Sequence, residues 1–111
     1  MSTESLAEFE LLVMLAAFRL GQAEAYTVSI ATDIEKRTGR SVRRANVYTT
    51  LQRLERKGLI STRLGEGRSE RGGKPRRLVR VEPDGLAALR TTTGAIQAMI
   101  GDLDEVLEGA G

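Results

Sequence analysis

RANVYTTLQRLERKGLISTR, residues 44–63, contains both a helix and the change of period that ends it. Val47, Leu51 and Leu54 recur at i, i+4 and i+7 and form one apolar stripe. Ala45, Asn46, Thr49, Gln52, Arg53 and Arg56 fall on the opposite side, so that face is polar, small near its start and basic near its end. The spacing predicts a helix over residues 44–57, closed by Gly58. Beyond the glycine, LISTR (59–63) is rich in strand formers, and LVRV (78–81) alternates apolar and basic residues. GEGRSERGGKPRR joins them, too rich in Gly and base to be either. The pattern is an antiparallel hairpin with a long basic tip.

Upstream, TVSIATDIEKRT (27–38) reads as a second helix closed by Gly39, with Val28, Ile30, Ala31 and Ile34 on its buried side. SLAEFELLVMLAAFRL (5–20) reads as a first helix with Ser5 as cap, Glu8 completing a capping box and Gly21 as stop. Its core stripe is Leu6, Phe9, Val13, Ala16, Ala17 and Leu20, yet Leu12, Met14, Leu15 and Phe18 make the other faces apolar too. Such a helix must be covered on more than one side. Downstream, Pro83 suits a first helical position, and a last helix is expected to run to about Leu107. Leu86, Leu89, Thr93, Ile96, Ile100, Leu103 and Leu107 form an a/d seam along it, with Gly94 and Gly101 as weak points.

Three helices, a hairpin and a long helix are the order of a winged helix-turn-helix followed by a C-terminal dimerisation helix. The fold class is thus mainly α with a small β-hairpin. Residues 1–82 are assigned to the winged helix-turn-helix and 83–111 to the dimerisation helix.

At 111 residues the chain is one domain in length. It has no Cys and no His, which excludes thiolate chemistry, His-based triads and the usual metal centres. Neither an enzyme, a cofactor nor a metal is expected. The longest apolar run, residues 11–18, is eight residues, against roughly 20 for a membrane span. Glu4, Glu8 and Glu10 precede it, the wrong charge for a secretory signal. No membrane association is expected, and the cytoplasm is the expected location. The net charge of +2 conceals a segregation: residues 27–80 carry fifteen bases and five acids, between ends of −3 and −5. A basic block of this kind suits a polyanion.

The candidate residues follow from those faces. Asn46 and Thr49, with Ala45 beside them, occupy the first turns of the third helix, where base edges are read: an Asn amide pairs with adenine and a Thr methyl packs on thymine. Arg43, Arg44, Tyr48, Thr50 and Arg53 are candidates for phosphate contact, and Arg71, Lys74, Arg76 and Arg77 for a wing (64–77) on the backbone or minor groove. Tyr48 is expected at the edge of the buried stripe, with its hydroxyl near the surface. The candidate homodimer interface comprises Leu86, Leu89, Ile96, Ile100, Leu103 and Leu107 of the last helix with Phe9 and Val13 of the first.

ANVYTTLQRLERKGLI, the wing GRSERGGKPRRLVRVEPDG, AYTVSIATDIEKRTGRSV and the connection LGQAEAY together resemble the PadR family of bacterial transcriptional regulators, over roughly residues 5–90. The resemblance implies a winged helix-turn-helix that dimerises through its C-terminal part and helix one, binds a double-stranded DNA operator and mostly represses. The C-terminal part resembles that of the short members. Two departures stand out: Thr27 where the family usually has Gly, and Ala45-Asn46 where it has Gly-Ala, at the base-reading turn. Some relatives take a small aromatic effector between subunits; this chain has no Trp and only Phe9 and Phe18, which leaves that partner open. A competing reading is a winged-helix protein-interaction module that uses its basic face on an acidic partner. Double-stranded RNA suits the charge but not the Asn46/Thr49 face, because the A-form major groove is too narrow to read.

Overall fold

The computed structural model describes residues 5–65 and 75–110. The described residues form five helices and a two-stranded hairpin: α1 (Glu8–Leu20), α2 (Thr27–Thr38), α3 (Arg44–Arg56), β1 (Ile60–Leu64), β2 (Arg77–Val81), α4 (Pro83–Ile100) and α5 (Leu103–Ala110). The third helix, the hairpin and the proline-led helix lie where the sequence puts them.

The apolar helix α1 is enclosed by α2, α3, β2 and α4. Val13 and Met14 have no exposed surface, and Ile30 of α2, Val47 and Leu54 of α3 and Val79 of β2 are likewise buried in the same core. Each fully buried side chain of this kind stabilises the fold by roughly 1.5–3 kcal/mol. The expected start of α1 is corrected. Ser5 lies outside the helix, Ala7 is the N-cap, and the Ala7 N–H donates to Glu10 Oε1 at 3.0 Å. Glu8 instead accepts from Arg40 Nη1 at 2.9 Å. The reason lies far off in sequence: the buried Leu6 N–H donates to Thr92 Oγ1 of α4 at 3.1 Å, which holds this segment out of the helix.

Ser29 Oγ accepts the Tyr26 N–H at 3.0 Å and so closes the start of α2; Gly39, at φ 73°, ends it. Strands β1 and β2 pair antiparallel from Ile60↔Val81 to Leu64↔Arg77. The Val79 N–H also reaches Ala25 O at 2.8 Å, which ties the hairpin to the link between α1 and α2.

The single last helix of the sequence reading is also corrected. It breaks at Gly101 (φ 37°, ψ −110°), and α5 restarts with Asp104 and Glu105 in its first turn. A positive φ is open to glycine at little cost, so the residue that weakens the helix is also the one that ends it. Gly94, which shares its heptad position, stays helical. The seam from Leu86 to Leu107 therefore spans two rods.

Glycine is required at Gly85 for a different reason. A Cβ there would lie 2.1 Å from the Leu59 carbonyl oxygen, because the first turn of α4 lies directly on the chain entering β1. The Glu82 N–H bonds to that same oxygen at 3.0 Å. Gly85→Ala is expected to cost about 1–3 kcal/mol, the usual range for overpacking. It should lower Tm by several degrees in a thermal melt; an unchanged Tm would show that the contact is looser than this.

Candidate nucleic-acid interface

Helix α3 divides cleanly. Val47, Thr50, Leu51 and Leu54 turn inward, while Ala45, Asn46, Thr49, Gln52, Arg53 and Arg56 stand in solvent, with Arg43 and Arg44 exposed at its start. Thr50 is only 4% exposed, so it sits on the packing side of the helix rather than among the candidate phosphate ligands. Tyr48 is the reverse case, 50% exposed, and its hydroxyl accepts from Gln52 Nε2 at 3.2 Å. About two turns of α3 therefore present Asn46, Tyr48, Thr49 and Gln52 to solvent.

The base of the wing is locked to this helix. Arg77 Nη1 donates to Thr62 Oγ1 at 3.0 Å, and that hydroxyl donates onward to Glu55 Oε2 at 2.9 Å. These side chains, with Tyr48, Gln52 and the buried Leu51 and Val79, line a cleft of about 230 Å³ between α3 and the hairpin. Arg76 is placed otherwise: its guanidinium stacks on the Tyr26 ring at 4.5 Å, a cation–π contact that holds the wing base against α2. Arg71 and Lys74 lie outside the described residues.

At the far end of α3, two bases converge on α1. Lys57 Nζ donates to Glu10 Oε2 at 3.0 Å, and Arg53 Nη1 lies 3.9 Å from the same oxygen. Burial pushes the Glu10 carboxyl upward, but the Ala7 N–H, Lys57 and Arg53 together outweigh it and hold the group below its ordinary value. Sequence reasoning missed Glu10. The signal was present, because Leu6, Glu10, Val13 and Ala17 share one buried stripe and a carboxylate there requires a cation.

Of the candidate interface residues, Val13 and Leu89 are buried within the single chain, and Phe9 and Leu86 are partly buried. Ile96, Ile100, Leu103 and Leu107 are exposed, along with Met99 at 86% and Val106. Among the described residues there is no cluster of acids able to hold a metal ion, and no helix is long and apolar enough to cross a membrane.

Three packed helices, the third with an open polar face, backed by a two-stranded basic hairpin, define a winged helix-turn-helix. The profile of the transcriptional regulator PadR-like family matches residues 16–91, well over half of the chain, and the chain belongs to that family. It is a DNA-binding transcription regulator, not an enzyme. Among solved structures it is similar to a PadR family transcriptional regulator from Eggerthella lenta DSM 2243, at 26% identity and a TM-score of 0.67, over 91% of this chain and 87% of that one. A PadR family transcription regulator from Clostridium difficile R20291 shares the fold at 18% identity and a TM-score of 0.72, over 91% of this chain and 99% of that one. A PadR-like regulator from Bacillus cereus strain ATCC 14579 does so at 21% identity and 0.69, over 87% and 91%. No curated protein matches the chain.

The depressed Glu10 carboxyl makes a pH prediction. A group whose pKa is lower folded than unfolded contributes stability that is present above its unfolded value and lost as pH falls through its folded one. Glu10→Gln removes that contribution, so it should melt below wild type at neutral pH. The gap should close as pH falls below the ordinary carboxyl value of 4.5. A gap that stays constant down to pH values well below this would contradict the pairing.

Proposed function

We infer that the chain is a homodimeric repressor that reads a two-fold DNA operator, with α3 in the major groove and the wing on the neighbouring backbone or minor groove. The observation that carries this is the joint exposure of Asn46 and Thr49 on the first turns of α3, flanked by Arg43, Arg44 and Arg53 and set beside a basic hairpin. Short polar side chains at the start of a recognition helix meet base edges, and the flanking guanidiniums meet phosphates.

The dimer reading rests on the end of the chain. The second half of α4 and all of α5 expose Ile96, Met99, Ile100, Leu103, Val106 and Leu107, a run of large apolar side chains that a small monomer rarely leaves in water. Asp102, Asp104, Glu105 and Glu108 on the same stretch would be repelled by DNA, which favours a place away from the operator. A second copy covering this surface would bring two recognition helices onto one face of the duplex, as half-sites about 34 Å apart require. Such a protein acts in the cytoplasm.

Asn46→Ala and Thr49→Ala should each relax sequence preference by about 1–3 kcal/mol while leaving non-specific binding nearly intact. Competition between the preferred duplex and bulk genomic DNA reads this directly. Unchanged ratios in both variants would remove the base-reading role. Ile96→Glu with Ile100→Glu should give monomers in sedimentation and abolish preferred binding; a wild type that sediments as a monomer while binding the preferred duplex would overturn the dimer.

A further inference from the structure

The geometry points to Glu10 as a positioning residue for DNA reading: its buried carboxylate ties the last turn of α3 to α1 and holds Arg53 at a fixed place on the exposed face. The inference rests on the DNA-binding reading above and adds to it a residue that never reaches the nucleic acid.

Glu10 is 4% exposed, yet two donors hydrogen-bond to it and a third cation stands within ion-pair distance, from two parts of the chain. The Ala7 N–H occupies one oxygen, at 3.0 Å. Lys57 Nζ, at 3.0 Å, and Arg53 Nη1, at 3.9 Å, share the other. Stability alone gives little reason for this arrangement, because a buried ion pair is often no better than apolar packing of the same volume. What the carboxylate supplies is direction. Arg53 and Lys57 stand four apart at the end of α3, and one shared oxygen fixes both the roll of that helix and its depth against α1. The Arg53 side chain is still 48% exposed. A guanidinium has five N–H donors in a rigid fork, so one can face Glu10 while others face solvent and a phosphate. Ordering this side chain before DNA arrives removes part of the cost of ordering it on binding.

The charge makes the effect separable from simple attraction. Glu10 places a negative charge behind the basic face, so removing it should favour non-specific binding to any duplex. Removing its directional hold should weaken binding to the preferred duplex. A residue that merely stabilised the fold would move both in the same direction.

Glu10→Gln keeps an acceptor for the Ala7 N–H and removes the charge. The probes are the duplex that wild-type protein retains most strongly from a random-sequence pool and a scrambled duplex of the same composition. Affinities for both are measured at two salt concentrations. Affinity for the preferred duplex should fall on the order of tenfold, within the range for loss of a positioned charge contact. Affinity for the scrambled duplex should hold or rise. Adding Arg53→Gln to Glu10→Gln should cost far less than Arg53→Gln alone. Arg53→Lys, on the solvent side of α3, tests the same point should Glu10→Gln not fold, because it keeps the charge and loses the fork. It too should lose preference for the retained duplex. Equal loss on both duplexes, additive effects of the pair, or full preference in Arg53→Lys would overturn the role of Glu10 alone. A wild type with no preference between the duplexes would overturn the DNA-reading function as well.

Discussion

The structure depends on the need to enclose α1. A helix that is apolar on nearly every side has to be covered on several of them, and here α2, α3, β2 and α4 do so, leaving Phe18 54% exposed near its end. Met14 and Val13 have no exposed surface in that core. That constraint fixes which side of α3 is used for packing. With Val47, Leu51 and Leu54 committed to α1 and its neighbours, the side left over is the one that carries Asn46, Thr49 and the arginines. The exposed face proposed to read DNA is thus set by the core, and the carboxylate of Glu10 adds a polar tie between α1 and the end of α3.

The count of positive charge overstates how much of it is available to a polyanion. Arg40 is paired with Glu8, Arg37 with Asp33 and Arg80 with Glu82, all near the surface. Pairs of this kind contribute roughly 0–1 kcal/mol to stability, but each places an acid beside the guanidinium and reduces the net charge it offers. Arg76 on Tyr26 and Arg77 on Thr62 are held by contacts at the base of the hairpin. The basic face thus combines residues held at the base of the wing with residues exposed for contact.

Much of this was legible in the sequence, because local periodicity carried it. The stripe of α3, the switch to strand after Gly58 and the start of α4 at Pro83 each depend on neighbours within a few residues. What was not legible depended on distant partners or on small energy differences. The late start of α1 follows from Thr92, which lies 86 residues from the Leu6 it holds. Gly94 and Gly101 look alike in sequence, and only the second takes a positive φ. Thr50, expected at the surface, is buried, which the apolar stripe of a single helix does not specify, whereas Tyr48 stands half-exposed at the edge of that stripe. Within the site, the polar face was readable, whereas the cationic partners of Glu10 lie more than forty residues away in sequence and Arg71 and Lys74 lie outside the described residues.

Selection of bound fragments from a random-sequence DNA pool, at salt high enough to suppress backbone-only binding, tests the central claim most directly. If two copies of α3 read two half-sites, the retained fragments will share an inverted repeat whose halves are centred about one helical turn apart. Retained fragments with no common motif, or with a single unrepeated half-site, would contradict it.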